Sequence, residues 1–348
     1  MNKFTFNRQD KPLLIMPIGI PGCGKSTIVH NIEIINGENT TAPKIHSSDA
    51  LRMELYGSED VQDKNSELFS ELHRRMRSDL SNGYDVVYDA TNLNKKQRKH
   101  FMDTLKRIDC HKVALCIMVP YDVCLDRNFN RERVVPDDAM KSMYMRWMPP
   151  HYGEGFDEIN LVFNGEDYDW TKHKGSIKTM IERLKNLDQE NKHHELTVGD
   201  HCTYAAAYID EHYAGDKRLR AAALLHDIGK EFTKTYINAN GKYDGQCHYY
   251  QHQNVGAYDS MFYMHESGHF SDEDMIYISN LIYYHMHPTQ AWKQSEKAQR
   301  NALEIMGKEM YDDVMKVHEA DSAAHTPKRD KERENIKKEE LEAIEIGR

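Results

Sequence analysis

Short apolar runs alternate with longer amphipathic stretches along the first half of the chain. The runs have the length of buried strands and lie at residues 13–17, 43–47, 85–89, 112–119 and 159–163. The stretches between them place apolar residues at helical spacing and predict helices at residues 26–35, 63–82, 95–107 and 121–133. Alternating strands and helices predict an α/β fold, with a parallel sheet sandwiched by helices.

The pattern changes in the second half, where apolar positions follow helical spacing and we expect no strands. A glycine-bearing loop at residues 238–245 interrupts this helical region. We therefore expect an α/β domain over 1–168, a charged linker helix over 169–192 and an all-α domain over 193–327. Residues 328–348 form a tail rich in Lys, Arg and Glu.

Composition narrows the class of protein. The 348 residues carry a net charge of −10, which argues against non-specific coating of nucleic acid but not against an enzyme that grips a strand end. No apolar run reaches the length of a membrane span, and the six cysteines are scattered. We expect a cytoplasmic protein with free thiols and no membrane partner. The sequence leaves the oligomeric state open.

A phosphate-binding loop follows the first buried strand. Gly19, Gly24, Lys25 and Ser26 have the spacing G-x4-G-K-S, and a helix is predicted to begin there. Backbone N–H groups of such a loop surround a phosphate, the lysine reaches the β and γ phosphates, and the serine hydroxyl ligates Mg²⁺. We expect ATP or another nucleoside triphosphate to be bound by Gly22, Cys23, Gly24, Lys25, Ser26 and Thr27.

Three further segments carry candidate kinase chemistry. Asp49 follows the second strand and can accept a proton from a hydroxyl, while Arg52 lies one turn later. Asp89 ends the third strand and begins the sequence DATNLN. An arginine-rich helix from Arg127 to Arg133 could close over a phosphoryl group in transfer. Each feature taken alone also fits a helix cap or a solvated helix face.

Together, GIPGCGKST, Asp49-x-x-Arg52, DATNLN and the segment ending in VVPDDAMKSMY resemble the 5′-hydroxyl polynucleotide kinase domain of phage and bacterial end-healing enzymes. The resemblance covers roughly residues 10–165. It implies a cytoplasmic enzyme of a bacterium or a phage-infected cell. The implied roles are a general base, an acceptor phosphate site, acceptor placement and stabilisation of the moving phosphoryl group. By this resemblance Asp49 is the general base and Arg52 binds the acceptor phosphate. Asp89 and Asn92 place the acceptor, and Lys25 and Arg131 stabilise the moving phosphoryl group. Arg127 is expected to contact the bound nucleotide.

Histidine is enriched in the second half of the chain and suggests a metal site. His226 and Asp227 are adjacent at the end of the apolar run AAALLHDIGK. Other predicted helices each offer one further ligand, namely His201, His252, His285 and Asp321. His248 and His287 are close alternatives to His252 and His285, and the sequence does not decide between them.

This pattern looks like the HD phosphohydrolase superfamily over roughly residues 193–325. The resemblance implies one metal held by His201, His226, Asp227 and Asp321, with His252 and His285 as added ligands in two-metal members. One or two divalent ions of Mn, Fe, Ni, Co or Zn suit such nitrogen and oxygen ligands. Lys230 would contact the substrate phosphate.

The two halves together imply a bifunctional end-healing enzyme. Its kinase would phosphorylate 5′-OH ends of RNA or DNA, and its hydrolase would remove a 3′-phosphate or a 2′,3′-cyclic phosphate. The products are the ends that a nucleic-acid ligase requires. The pairing resembles a bacterial family that fuses an HD module to a polynucleotide kinase, although there the HD module usually comes first. The alternative is a nucleoside or nucleotide kinase fused to an HD nucleotidase or cyclic-nucleotide phosphodiesterase.

Overall fold

The structure, a computed structural model, describes residues 3–8, 10–61, 63–165, 168–190 and 195–325. The charged tail predicted at 328–348 lies outside the described residues. The described chain forms two compact units. The first contains the residues up to Met143 and those from Pro150 to 165, and the second contains Tyr144–Pro149 and the residues from 168 onward.

The first unit is built on a parallel sheet with the strand order β5-β6-β2-β7-β8. Its strands are β1 (Phe4–Asn7), β2 (Leu13–Ile18), β3 (Ile32–Asn36), β4 (Asn39–Thr41), β5 (Lys44–Ser47), β6 (Val86–Asp89), β7 (His111–Met118) and β8 (Glu158–Phe163). Its helices are α1 (Lys25–His30), α2 (Ser48–Tyr56), α3 (Asn65–Ser81), α4 (Lys95–Thr104), α5 (Tyr121–Phe129) and α6 (Asp137–Tyr144). Every residue of β2 is buried, as expected for a central strand with both faces covered.

One predicted helix of this unit is wrong in part. The helix expected over 26–35 ends at His30, and β3 begins two residues later. Alternating burial along β3, with Ile32 and Ile34 inward, is the period of a strand. This strand pairs in parallel with β1 and antiparallel with β4, which makes a second small sheet that the sequence pattern did not indicate.

The second unit is mainly helical. Its helices are α7 (Trp170–Lys174), α8 (Ile177–Leu184), α9 (Val198–His212), α10 (Lys217–Leu225), α11 (Lys230–Thr233), α12 (His252–Ser267), α13 (Asp272–Tyr284), a π-helix (Pro288–Trp292) and α14 (Glu296–His325). The last helix is broken at Gly307, whose φ is 76°. None of the helices in the described ranges has the length and apolar content that crossing a membrane requires.

Two expectations for this region are corrected. The helix expected over 169–192 is two short helices, because Gly175 has a φ of 81° and Ser176 caps the start of α8. The strands β9 (Thr235–Ile237) and β10 (Tyr243–His248) form an antiparallel hairpin where we expected none. Most residues of this hairpin are exposed, so it lacks the apolar alternation by which a strand is recognised.

Candidate functional sites

The phosphate-binding loop lies at the end of β2. Gly22 and Gly24 have φ angles of 85° and 83°, in the left-handed region that favours glycine. A Cβ on Gly22 would lie 2.3 Å from the carbonyl oxygen of Cys124, and one on Gly24 would lie 2.4 Å from Nδ2 of Asn164. The loop therefore needs these glycines both for its turn and for close packing against its neighbours.

Asn164 fixes the loop from a distant part of the chain, and sequence reasoning did not identify it. Its Nδ2 donates to the carbonyl oxygen of Cys23 at 2.9 Å, and its backbone N–H donates to Met118 at the end of β7. The only signal in the sequence was a turn-rich exit from β8. Nothing there indicated that this amide supports a loop 141 residues earlier.

Asp49 and Arg52 form an ion pair on α2. The side chain of Asp49 is 54% exposed, whereas that of Arg52 is 5% exposed. Nη1 of Arg52 donates to Oδ1 of Asp49 at 2.7 Å, and Nη2 donates to Asn65 at 3.0 Å. Ser47 caps this helix, so Asp49 is not used as the cap. Its carboxylate is thus oriented by a fixed guanidinium while one face remains open to solvent.

Asp89 ends β6 and pairs in register with Ser47 at the end of β5. Burial raises the pKa of its carboxyl, the ammonium of Lys25 opposes this rise, and the carboxylate of Asp49 adds to it. These three charges, which the sequence placed at the carboxyl ends of three strands, therefore lie close enough to act on one another. A parallel sheet brings such strand ends to one edge.

Asn92 supports the backbone beside this site. It adopts a left-handed φ of 52°, and its Nδ2 faces the carbonyl oxygens of Pro17, Tyr88 and Ala90 at 2.9, 3.1 and 3.3 Å. Its amide N–H groups thus join the end of β6 to the end of β2. The substrate contact expected for Asn92 stays a prediction.

The arginines that follow α5 are placed differently from one another. Arg127 is half-buried near the loop, where it and Lys25 both lower the pKa of the Cys23 thiol against the larger upward effect of burial. Arg131 is exposed. Arg133 donates to Glu59 and to Asp60, each at 2.8 Å, and its Nη1 lies 3.8 Å from Oδ2 of Asp49, so it borders the candidate base. The roles expected for Arg127 and Arg131 stay predictions.

Six side chains meet in the interior of the second unit. All are at most 6% exposed, and they come from α9, the ends of α10 and α13, the start of α12 and the last part of α14. They are His201, His226, Asp227, His252, His285 and Asp321. They form two groups that share Asp227, within which the ligand atoms lie no more than 4.8 Å apart.

The first group joins two imidazoles and two carboxylates. Nε2 of His201 lies 3.1 Å from Nε2 of His226 and 3.0 Å from Oδ1 of Asp321. Oδ2 of Asp227 lies 3.4 Å from the first of these nitrogens and 3.3 Å from the second. This is a buried N₂O₂ donor set whose atoms converge on one point.

The second group uses the other oxygen of Asp227. Its Oδ1 lies 3.2 Å from Nε2 of His252 and 3.9 Å from Nε2 of His285, and these two nitrogens are 3.3 Å apart. Asp227 therefore faces one donor group with each carboxylate oxygen, as a bridging ligand between two metal ions would.

The imidazole tautomers support metal binding. In all four histidines of the two groups, Nδ1 donates a hydrogen bond to a backbone carbonyl. The pairs are His201 with Ala324, His226 with Ala223, His252 with Tyr249, and His285 with Ile282. Each Nε2 then carries a lone pair. Lone pairs that face one another at 3.1 and 3.3 Å repel unless a cation lies among them. The donor set therefore fits divalent ions, with His201, His226, Asp227 and Asp321 holding one and Asp227, His252 and His285 the other.

Burial favours the neutral, metal-binding form of three of the four imidazoles. It lowers the pKa of the His201, His252 and His285 imidazoles, which favours their neutral form. Burial acts in the same direction on His226, but the carboxylates of Asp227 and Asp321 outweigh it and raise the pKa of that imidazole well above its usual value, so a metal would bind there with release of a proton. Burial alone would raise the pKa of Asp321, but the surrounding imidazoles of His201, His226 and His325 hold it well below its usual value. Neutral imidazoles and an ionised carboxylate are the ligand forms that metals bind.

The remaining candidates of this unit lie around the two groups. Nζ of Lys230 is 2.6 Å from Oδ2 of Asp227 and donates to Gln189 at 2.7 Å, so it neutralises the bridging carboxylate; its expected phosphate contact stays a prediction. His248 pairs with Asp244 at 3.0 Å, and neither His248 nor His287 belongs to the two groups. The structure thus brings His252 and His285 to the ligand groups, and not their alternatives His248 and His287.

Comparison with known proteins matches each unit to a family. Residues 14–150 match the AAA domain model AAA_33, and residues 192–326 match the HD domain model. The L-seryl-tRNA(Sec) kinase of Methanococcus maripaludis is 28% identical over 185 residues, which are 51% of this chain and 69% of that protein. The chain thus joins a P-loop kinase domain to a helical HD domain.

Two solved structures are among those similar to this chain. A gluconokinase from Sinorhizobium meliloti is 17% identical, with a TM-score of 0.31, over 44% of this chain and 83% of its own. A fungal RNA kinase is 16% identical, with a TM-score of 0.34, over 50% of this chain and 44% of its own.

Proposed function

Because the chain joins a P-loop kinase domain to an HD phosphohydrolase domain, we propose that it heals broken nucleic-acid ends. The kinase transfers the γ-phosphate of ATP to a 5′-OH, and the HD domain removes a 3′-phosphate or a 2′,3′-cyclic phosphate. The healed 5′-phosphate and 3′-OH would then be the substrates of a ligase, which is the functional partner of such an enzyme.

The arrangement of Asp49 carries the kinase half of this proposal. Its carboxylate is oriented by Arg52, is more than half exposed, and shares an electrostatic environment with Lys25 and Asp89. An acceptor hydroxyl at that position could lose its proton to Asp49 while Lys25 and Mg²⁺ on Ser26 neutralise the phosphoryl group. Arg52 has its second nitrogen engaged by Asn65, so it is already oriented to receive an acceptor phosphate.

The two donor groups that share Asp227 support the hydrolytic half. A bound divalent metal would supply a water of lowered pKa and would polarise the phosphate. The chain's own part is to hold the imidazoles with Nε2 inward, to exclude bulk water from their surroundings, and to balance Asp227 with the ammonium of Lys230. A carboxylate shared between two donor groups is the arrangement that two-metal phosphoester hydrolysis uses.

An RNA-borne substrate is supported by the curated relative, which is named for a kinase of seryl-tRNA. The alternative pairing, a small-molecule kinase with a nucleotidase, makes the opposite prediction about the acceptor. We therefore compare transfer of labelled γ-phosphate to a 5′-OH oligoribonucleotide, to the matching oligodeoxyribonucleotide and to a free nucleoside. Transfer only to the nucleoside would refute the end-healing proposal.

Variants connect each activity to its site. Asp49→Asn should lower kinase kcat by about 10²–10⁴-fold, the usual contribution of a general base, and should leave 3′-phosphate release unchanged. The matched control is Asp109→Asn, because Asp109 is 87% exposed and precedes β7, at the opposite edge of the sheet. An equal loss in both variants would show that Asp49 is not the base.

The hydrolytic site has an internal histidine control. Asp227→Ala and His252→Ala should abolish phosphate release from a 3′-phosphorylated oligonucleotide while kinase activity persists. His248→Ala should retain release, because His248 lies outside both donor groups and bonds Asp244. Release that survives Asp227→Ala would refute the metal assignment.

A further inference from the structure

The short segment Tyr144–Pro149 belongs structurally to the second unit, although it lies within the residues matched to the kinase family model. Two aromatic side chains anchor it. Tyr144 is 2% exposed and donates from its hydroxyl to Asp259 at 2.6 Å. Trp147 is fully buried and packs edge-on against Tyr258, with ring centroids 5.1 Å apart. The segment is therefore a fixed part of the helical unit.

A hydrogen bond to the backbone of this segment sets the orientation of Arg146 and Met148, which flank Trp147. Nδ2 of the buried Asn254, on α12, donates to the carbonyl oxygen of Trp147 at 2.9 Å. With Tyr144 and Trp147 turned inward, Arg146 is left exposed and Met148 half-buried. Both of these residues line a cavity of about 400 Å³.

Two residues that line this cavity are chain neighbours of ligands in the second donor group. Gln251, in its wall, immediately precedes the candidate ligand His252, and His287 lies two residues after His285. Gln251 has a left-handed φ of 60°, an unfavourable conformation for a residue other than glycine, and such strain is concentrated at functional sites. The volume is within the range of about 300–1,000 Å³ that is usual for small-molecule sites.

The side chains that line the cavity suit a ligand that carries a negative charge and hydrogen-bonding groups. Among the described residues that line the cavity there is no carboxylate, and several of the side chains are amides: Gln251, Gln253, Asn254 and Gln290. Arg146 is the residue of permanent charge in this lining, and no carboxylate within the described residues is recorded as its ion-pair partner. An arginine in this setting is available for bidentate recognition of a phosphate.

We propose that Arg146 binds a phosphate group of the HD substrate other than the one that is removed. The removed phosphate would lie on the ions held by the six buried ligands, beside Lys230, whereas Arg146 lines the cavity together with Gln251 and His287. The preferred substrate is then a nucleotide with two phosphates, of which a nucleoside 3′,5′-bisphosphate is the smallest and an oligonucleotide 3′-end the natural extension. This inference rests on the proposed phosphohydrolase function.

The test compares substrates that differ by one phosphate. KM and kcat for release of the 3′-phosphate are measured on adenosine 3′,5′-bisphosphate and on adenosine 3′-monophosphate. Arg146→Ala should raise KM for the bisphosphate by about 10- to 100-fold, the range for a lost charged hydrogen bond, and leave kcat and the KM for the monophosphate unchanged. Arg146→Lys should recover part of the loss, and the exposed Arg300→Ala is the matched control, expected to change nothing.

A binding measurement separates this inference from the proposed activity. The probes are the 3′-deoxy-3′-phosphonomethyl analogue of adenosine 3′,5′-bisphosphate, in which a C–P bond replaces the ester bond to be hydrolysed, and the same compound without its 5′-phosphate, titrated into protein saturated with ADP. Arg146→Ala should weaken only the first probe, even if the protein releases phosphate from no nucleotide, in which case the proposed function alone would fail. Equal weakening of both probes, or of neither, overturns the role of Arg146, as does failure of the wild-type protein to bind them.

Discussion

The buried ion pair between Arg98 and Glu154 should hold the kinase unit together. The two side chains are 1% and 0% exposed, and they meet through two hydrogen bonds of 2.8 and 2.9 Å. The remaining guanidinium nitrogen donates to the carbonyl oxygens of Asn92 and Leu93, just beyond Asp89. The pair therefore supports the strand end at which the acceptor is expected to bind.

The variant Glu154→Gln keeps the shape of this side chain and removes its charge. Arg98 would then be a buried cation without a counterion, which costs about 3–5 kcal/mol. That is a large part of the roughly 5–15 kcal/mol by which folded proteins are stable. At a urea slope of about 2 kcal/mol/M, the unfolding midpoint of the first unit should fall by about 1.5–2.5 M.

The assay must follow the two units separately. All three tryptophans lie in the second unit, so their fluorescence should show little change, whereas hydrogen exchange of peptides from β2 and β7 should show the loss. The control is Glu71→Gln, which disrupts ion pairs on the surface of α3 and should cost no more than about 1 kcal/mol.

Two outcomes would refute this reasoning. The first is a loss for Glu154→Gln as small as that for Glu71→Gln. The second concerns the double variant Arg98→Met with Glu154→Leu, which removes both charges of the pair and should recover much of the stability. If the double variant is as unstable as Glu154→Gln, lost packing and not an unpaired charge is the cause.

Three further predictions follow from single features. Burial lowers the pKa of His151 to about 3, so below pH 6.5 the unfolded chain binds a proton that the folded unit does not. The free energy of unfolding should therefore fall as the pH drops from about 6.5 toward 3. Denaturation curves of His151→Asn should show a flatter pH dependence. Asn164→Ala removes the hydrogen bond to the phosphate loop and should raise KM for ATP by about 2- to 10-fold in steady-state assays, whereas an unchanged KM would show that the loop holds its shape alone. Chelation should abolish phosphate release and lower the thermal midpoint of the second unit, because a bound divalent ion stabilises the folded state that holds the facing nitrogens of His201 and His226. Calorimetry should show recovery on adding Mn²⁺, and a midpoint unchanged by chelation would contradict this.

Much of the kinase fold could be predicted because apolar runs identify buried strands directly. The sheet brings Lys25, Asp49 and Asp89 to one edge, which follows from parallel strands and needs no knowledge of side-chain contacts. The error at residues 31–35 has a local cause, since the isoleucines there suit either a helix or a strand and only pairing with β1 and β4 decides.

The ligand groups of the second unit were only partly predictable. Each histidine of the candidate set lies at or near a helix end, but helical spacing cannot tell which end faces the interior. His248 and His252 are four residues apart, and the choice between them depends on where β10 stops and α12 starts. That boundary is set by the Gln251 turn, whose left-handed φ no residue type there indicates.

The contribution of residues 144–149 to the cavity, through Arg146 and Met148, could not be predicted from the sequence. Asn254 fixes the carbonyl of Trp147 across 107 residues, and a helix that ends in an arginine-bearing segment is by itself more typical of a solvated face. The kinase family model ends at residue 150 and the HD model begins at 192, so position along the chain alone assigns Arg146 to the kinase. Tertiary packing assigns it instead to the helical unit, because the aromatic anchors on either side of it bury their area against α12. An HD domain cut from this chain at residue 192 would keep all six candidate ligands and lose Arg146, the permanent charge among the described residues that line its cavity.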